Sequence, residues 1–159
     1  MVDPNKELKR HASRIVDILF QEYPDAEISL RYSDEFELLV AVILSAQCTD
    51  ERVNMVTEVL FKKYRTIEDY ANSSAEEFSK DIASVTYFNQ KARWIVNTAI
   101  CIIEMYDGEV PGTMEELLGL PGVGRKTANV VLQHAYGETE GIVVDTHVMR
   151  LSRRMGLVG

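Results

Sequence analysis

The residues best suited to chemistry lie in a glycine-rich stretch that carries two adjacent basic side chains. It reads LPGVGRKTANVV from Leu120 to Val131, and its second glycine is followed directly by Arg125 and Lys126. Glycines allow a backbone to approach a ligand closely and to turn its N–H groups outward. A helix that begins after them adds the positive end of its dipole. The stretch is therefore suited to holding a phosphate.

Lys126 could also react, because a neutral amine is a nucleophile. The neighbouring charge of Arg125, the positive helix end and partial exclusion from water would each lower the pKa of a lysine at this place. We therefore expect Lys126 to lie partly out of water. A lysine that only contacts phosphate is the alternative.

Two common nucleotide-binding loops do not fit this stretch. The ATPase loop requires a glycine, four residues and then Gly-Lys-Ser/Thr after a strand. Gly119 and Gly124 have that spacing, but Arg125 takes the lysine position and a capped helix precedes the loop. The dinucleotide-binding pattern requires a third glycine where the sequence has Thr127. What remains is a helix, a tight hairpin and a second helix, which can grip a phosphate without reading base sequence. A plain helical corner with glycines for packing is the alternative.

The elements that must position this hairpin are predicted to be helices, because the apolar spacing is helical almost throughout. The class is all-α. Residues 141–144 could form a short strand, but no second apolar run is present to pair with it, so we expect a buried connector. Helices are predicted to begin at capping or helix-starting residues: Pro4, Ser33, Thr49, Ser74, Asn89, Thr113, Gly124 and Asp145.

Charge is distributed unevenly along the chain. The 159 residues carry a net charge of −8, which argues against a general nucleic-acid binder if taken alone. Residues 121–159 hold five Lys or Arg against three acids, or +2, so residues 1–120 carry 12 against 22, or −10. A local basic face can therefore coexist with an acidic body.

The cysteines and the lengths of the apolar runs indicate the cellular compartment in which the protein is expected. Cys48 and Cys101 have neither disulfide-framework nor metal-ligand spacing, and we expect both to be buried small side chains in a reducing, intracellular setting. No run approaches the roughly 18 apolar residues of a membrane span, and the N-terminus does not resemble a secretory signal. We expect no membrane partner and a location in the cytoplasm or nucleoid.

Four motifs together resemble the helix-hairpin-helix–GPD superfamily of base-excision DNA glycosylases. They are LPGVGRKTA at 120–128, VDTH at 144–147, LSAQCTD at 44–50 and FNQKA at 88–92, and the matches span residues 36–151. The resemblance implies the helical fold of that superfamily. It also implies a bifunctional DNA glycosylase and AP lyase that removes oxidised pyrimidines from damaged double-stranded DNA.

The resemblance assigns the two catalytic roles. Lys126 matches the nucleophile, which attacks C1′ and forms a Schiff base that leads to β-elimination. Asp145, nineteen residues later, matches the essential carboxylate, which helps to deprotonate the attacking group and stabilises positive charge on the sugar. Asp145 could instead serve only as the cap of the last helix, and both roles are compatible.

The resemblance also assigns DNA contacts. Gln47 matches the residue that fills the gap left by the flipped base. Tyr87 stands where the most similar branch of the family usually has a leucine wedge. For both, an ordinary structural role is the alternative. The backbone contacts are expected from Gly122, Gly124, Arg125 and Arg150, and the carbonyls of Leu118, Leu120 and Val123 are expected to hold a monovalent cation. His147 is expected to form a local hydrogen bond.

The chain departs from that branch at its C-terminus. Other members carry four more cysteines there for a [4Fe–4S] cluster, whereas none follows Cys101, so we expect no cofactor within this chain and a truncated second lobe. We expect three parts: residues 1–25, the N-terminal helix of that lobe; residues 26–140, a helical domain with the hairpin at about 114–136; and residues 141–159, the connector with Asp145. The apolar stripe of residues 8–19 and the face with Met149 and Met155 would then be exposed and could cause self-association.

Two rival functions stay open. One is a monofunctional mismatch or adenine glycosylase of the same superfamily, against which Lys126 argues because such members generally lack a lysine there. The other is a non-catalytic module that uses the hairpin only to bind the DNA backbone.

Overall fold

The computed structural model describes residues 4–138, 141 and 143–158. Regular structure in this part of the chain is helical and no strand occurs in it, so the all-α prediction is confirmed. The helices are α1 (Pro4–Glu22), α2 (Glu35–Ser45), α3 (Asp50–Lys63), α4 (Ile67–Ala71), α5 (Ala75–Asp81), α6 (Phe88–Tyr106), α7 (Met114–Gly119), α8 (Arg125–Val131), which continues as a π-helical turn (Leu132–Tyr136), and α9 (Thr146–Arg154).

The chain divides into two compact units. We call residues Ser29–Val143 the hairpin unit, and residues Met1–Ile28 with Val144–Gly159 the terminal unit. The hairpin unit contains α2 to α8 and the terminal unit contains α1 and α9.

The core of the hairpin unit is built around α2 and α6. Residues Leu38 to Leu44 of α2 are all buried, because α3, α6 and α8 pack around this helix. A helix that is apolar on every side is stable only inside a protein. Helix α6 packs against α2, α4 and α5 through its apolar face, which includes Ala92, Ile95 and Ile102. Burial of this apolar surface stabilises the packing of the helices and so fixes the positions of the loops between them.

Most predicted helix starts are confirmed, with two corrections. Helix α6 begins at Phe88, one residue before the predicted start at Asn89. Helix α2 is capped by Asp34 and not by Ser33, because the Asp34 carboxylate accepts the Glu37 N–H at 2.8 Å. Thr49, Ser74 and Thr113 cap α3, α5 and α7 as predicted. The start near Pro4 agrees with α1, whereas Asp3, which could cap it, lies outside the described residues.

Two elements of the hairpin unit were not predicted. Helix α4 has only five residues, too few for an apolar stripe, and depends on a capping box between Thr66 and Asp69. The π-helical turn closes at Gly137, which has a positive φ of 68°, and the Tyr136 hydroxyl near its end donates to the Val110 carbonyl.

The terminal unit buries much less apolar surface. None of its side chains among the described residues is buried, and the predicted exposure of apolar side chains is confirmed. His11 Nε2 lies 2.7 Å from the Met155 carbonyl oxygen within this unit. The predicted buried connector is wrong at Val144, which is 54% exposed, and Ile142 lies outside the described residues. The exposed apolar side chains are Leu8, Val16, Ile18, Leu19, Phe20, Tyr23, Val144, Met149, Leu151 and Val158.

Candidate functional site

The hairpin between α7 and α8 is a tight turn that requires glycine at its centre. The Val123 N–H donates to the Leu120 carbonyl at 3.2 Å, and Gly122 adopts a φ of +75°. A Cβ at position 122 would lie 2.7 Å from the side chain of Trp94. Both the left-handed backbone and the close packing therefore exclude a side chain here.

Gly124 differs from Gly122 in this respect. Its φ is −96°, which other residues also adopt, and a Cβ there would meet nothing within 4 Å. The fold therefore has no need of glycine at position 124. Its lack of a side chain leaves the start of α8 open to an approaching ligand.

Helix α6 anchors the hairpin. The buried Thr98 hydroxyl donates to the Pro121 carbonyl at 2.7 Å, and Trp94 covers Gly122. Residues 94 and 98 lie one turn apart on the same face of α6, so a single rigid helix supports the turn.

Lys126 is the second residue of α8 and its side chain is exposed, as is that of Arg125. The expectation that Lys126 lies partly out of water is therefore wrong for the protein alone. The start of α8 lies on the surface, where Gly124, Arg125 and Lys126 are all exposed.

Gln47 and Tyr87 share an unusual backbone conformation. Gln47 follows the end of α2 with a φ of +55°, and Tyr87 precedes α6 with a φ of +58°. Both side chains are exposed, Tyr87 to 64%, so neither contributes to the buried core. A left-handed conformation of a residue other than glycine costs on the order of 1–3 kcal/mol and often occurs where a side chain must be presented.

Lys91 is part of the FNQKA motif, and the sequence predicted no role for it. It is only 1% exposed, and its Nζ donates to the carbonyls of Leu44 at 2.8 Å and Ala46 at 2.6 Å. Burial lowers the pKa of this amine from its ordinary value. The available signal was a lysine on the apolar face of α6, directly before Ala92.

Asp145 belongs to the terminal unit, where it is the N-cap of α9. Its carboxylate accepts the Val148 N–H at 2.7 Å, so the capping role is confirmed. One turn into α9, the exposed Arg150 guanidinium lies 3.3 Å from His147 Nδ1, which agrees with the local role expected of His147. Lys126 and Asp145 therefore lie in different units.

The described residues do not fit a [4Fe–4S] cluster. The sequence has two cysteines, both free and partly exposed, which corrects the expectation that they are buried. No group of three or more His, Cys, Asp or Glu that could hold a metal occurs in the described part. The cation site formed by carbonyls of Leu118, Leu120 and Val123 stays a prediction, and the Leu120 carbonyl already accepts the Val123 N–H.

A family model described as "HhH-GPD superfamily base excision DNA repair protein" matches residues 40–159, which include the hairpin, Lys126 and Asp145. The chain belongs to this superfamily. The resemblance predicted from four motifs is thereby confirmed. Endonuclease III from Synechocystis sp. is 53% identical over 149 residues, which cover 94% of this chain and 68% of that relative.

Solved structures agree with this HhH-GPD assignment. A non-covalent endonuclease III–DNA complex matches with a TM-score of 0.88 and 47% identity, covering 98% of this chain and 70% of that one. A trapped endonuclease III–DNA covalent intermediate matches with the same values. The chain thus spans about two thirds of the length of these relatives. The function is that of a base-excision DNA glycosylase, and endonuclease III, the type that this chain resembles, is also an AP lyase.

No helix in the described part of this HhH-GPD chain is long and apolar enough to cross a membrane.

Proposed function

We propose that this chain removes oxidised pyrimidines from damaged double-stranded DNA through a Schiff base on Lys126 and then cleaves the strand by β-elimination. The observation that carries the proposal is the position of Lys126. It is exposed at the second residue of α8, immediately after a turn whose backbone is open to a ligand at Gly124. The endonuclease III structure trapped as a covalent DNA intermediate supports a nucleophile in this type of enzyme.

The hairpin holds the sugar–phosphate backbone beside the amine. The start of α8 has a positive dipole end, Arg125 is exposed there, and Gly124 has no side chain to keep a phosphate away. These contacts recognise the backbone and not the base. DNA that closes over Lys126 would also remove it from water, which favours the neutral, nucleophilic amine.

The reaction starts when Lys126 Nζ attacks C1′ of the damaged nucleotide. A C–N bond forms, the bond from C1′ to the base breaks, and the base leaves with that electron pair. The nitrogen then loses a proton as the bond from C1′ to the ring oxygen O4′ breaks, and O4′ takes up a proton as the sugar ring opens. The resulting Schiff base makes a proton on C2′ acidic. Loss of this proton expels the 3′ phosphate and cleaves the strand.

Asp145 is proposed to assist the first step. Its capping bond to the Val148 N–H would fix the direction of the carboxylate. A carboxylate held in this way can accept the proton of the attacking amine and stabilise positive charge on the sugar. Arg150, one turn further along α9, is proposed to contact a backbone phosphate.

Gln47 and Tyr87 are proposed to fill the gap in the duplex. The base must leave the stack before C1′ becomes accessible, and an inserted side chain compensates for the lost stacking. Both residues are exposed and are held in a left-handed conformation by the ends of two packed helices. An aromatic wedge at Tyr87 would stack on the neighbouring bases.

The decisive experiment is borohydride trapping on a duplex with one abasic site. The parent protein is expected to form a covalent adduct with the DNA, and Lys126→Ala is expected to form none. Lys80→Ala is a matched control, because Lys80 is an exposed lysine of the same unit at the end of α5. Its adduct yield should equal that of the parent.

The same samples separate the rival functions. Release of an oxidised base without any adduct would indicate a monofunctional glycosylase and contradict the Schiff base. Binding of DNA with neither base release nor adduct would indicate a module that binds only the backbone. An adduct that persists in Lys126→Ala would assign the nucleophile to another amine.

Two further properties belong to the proposal. The first is the location: because Cys48 and Cys101 are free, we place the protein in a reducing compartment, the cytoplasm or nucleoid, where the DNA also lies. The exposed apolar side chains of α1 and α9 support self-association through the terminal unit. Light scattering that shows a monomer at all concentrations would contradict the second point.

A further inference from the structure

We propose that Lys91 is a positioning residue that holds the Gln47 loop and the Tyr87 loop in one fixed arrangement for entry into the DNA gap. The proposal rests on the proposed function, since it concerns how the two gap-filling side chains are presented. It adds a third residue to that part of the site, one that touches no DNA itself.

The first contact is with the end of α2. The last carbonyls of a helix have no partner within it. Here the Ser45 carbonyl accepts the Cys48 N–H at 3.0 Å, and the carbonyls on either side of it, from Leu44 and Ala46, both accept from Lys91 Nζ. Because Ala46 directly precedes Gln47, this ammonium fixes the peptide from which the left-handed Gln47 emerges.

The second contact is with the start of α6. The backbone N–H of Lys91 donates to the Tyr87 carbonyl at 3.1 Å, and the Gln90 N–H shares that carbonyl at 3.0 Å. No side chain caps α6 at Tyr87, so these bonds close its first turn. A single residue thus bonds to the carbonyl before Gln47 through its side chain and to the carbonyl of Tyr87 through its backbone.

The chemistry of Lys91 is specific to this task. A methionine could fill the same buried space, because it has nearly the same length and no charge to desolvate. It would leave two carbonyls at the negative end of α2 without their donor. Charge-assisted hydrogen bonds and the negative end of the helix dipole offset the cost of removing this ammonium from water. Both accepting carbonyls, those of Leu44 and Ala46, lie within three residues before Gln47.

The test is a double-mutant cycle between Lys91→Met and Gln47→Ala. The measured quantity is the ratio of affinities for a duplex with a tetrahydrofuran abasic analogue and for the same duplex undamaged. Any unfolded fraction lowers both affinities equally and cancels in the ratio. Each single variant is expected to lower this preference about tenfold, the equivalent of one good contact. The double variant should have a preference for the abasic duplex no lower than that of the single variant with the larger loss.

Matched variants separate positioning from general destabilisation. Ile102→Ala removes a fully buried side chain three turns further along α6 and should leave the preference unchanged. Lys91→Gln keeps an amide donor and should recover part of the preference lost in Lys91→Met. Borohydride trapping at saturating abasic DNA should persist in both Lys91 variants, because Lys126 is intact.

Three results would overturn the proposal. A preference that is unchanged in Lys91→Met, or losses that add in the double variant, would show that Lys91 does not act through Gln47 while leaving the proposed function intact. A Gln47→Ala variant with full preference would remove the gap-filling role of Gln47 and the role of Lys91 with it. Loss of trapping in Lys126→Ala is independent of all three.

Discussion

The hairpin unit and the terminal unit differ in how they are held together. Every buried side chain among the described residues lies between Leu30 and Leu132, within the hairpin unit. In the terminal unit, by contrast, α1 and α9 expose large apolar side chains such as Phe20, Tyr23 and Met149. The one unit has a core that can fix loop geometry, and the other depends on local contacts such as the Asp145 cap.

Because of this difference, the residues proposed to act on DNA are supported to different degrees in the two units. Gln47, Tyr87 and Lys126 emerge from ends of packed helices, and their supports are the buried side chains of Lys91 and Thr98. Asp145 caps α9, a helix without buried residues. DNA gripping and insertion should therefore tolerate loss of terminal-unit contacts better than the step assisted by Asp145 does.

The largest effect is expected from matched phenylalanines in the two units. Phe78→Ala removes a fully buried ring that packs against Tyr64 and Tyr70, and should lower the free energy of unfolding by about 3–5 kcal/mol. Phe20→Ala removes a ring that is 71% exposed and should change it by less than about 0.5 kcal/mol. Urea unfolding followed by circular dichroism measures both. Equal losses would mean that the terminal unit has a core of its own.

The second effect concerns the two glycines of the hairpin. Gly122→Ala should lower the free energy of unfolding by about 2 kcal/mol or more, from its left-handed backbone and the contact with Trp94. Gly124→Ala should leave stability within about 0.5 kcal/mol, because its Cβ meets open space. DNA affinity should fall in both. A stable Gly124→Ala with full DNA affinity would contradict the close approach of a phosphate there.

The third effect compares one type of helix cap in both units. Asp145→Ala and Ser74→Ala each remove a side chain that accepts a backbone N–H at a helix start, worth about 1 kcal/mol. In α9 the loss should appear as faster amide exchange confined to that helix. In α5, which packs on α6, it should appear as a lower global stability. Asp145→Asn should keep the cap and lose base excision, whereas activity in that variant would reduce Asp145 to a cap.

The smallest effect is a pH dependence in the hairpin unit. Burial alone would raise the pKa of Asp81, but hydrogen bonds from Lys63 at 2.6 Å and Tyr64 at 2.8 Å hold it below its ordinary value. A carboxylate with a depressed pKa stabilises the fold above its unfolded pKa of about 3.9, and this contribution is lost as the pH falls through the folded value. The urea midpoints of the parent and Asp81→Asn should therefore differ at pH 7 and converge toward pH 3. A constant difference would assign the effect of Asp81 to packing.

Local signals in the sequence predicted most helix starts and the hairpin. Thr49, Ser74, Thr113 and Asp145 cap helices as expected, because a cap needs only a side chain and an N–H three residues away. The hairpin was predictable because its glycines and proline act within one turn.

Features that depend on distant contacts were not predictable in this way. The burial of Lys91 depends on carbonyls more than forty residues earlier in the chain. The widened turn at the end of α8 closes with a bond from Tyr136 to Val110, 26 residues away. The exposure of Lys126 was mispredicted for a related reason, since solvent access depends on which elements pack near the start of α8.

The left-handed backbone at Gln47 and Tyr87 places these two positions under opposing selection. Glycine would relax such a backbone, at the expense of more freedom in the unfolded chain. Variants chosen only for resistance to heat should therefore accumulate glycine at positions 47 and 87, and under the proposed function they would lose the ability to hold a base out of the duplex. Selection for repair should retain Gln47 and Tyr87, whereas selection for stability alone should lose them. That outcome would show that DNA binding, and not folding, requires these two side chains.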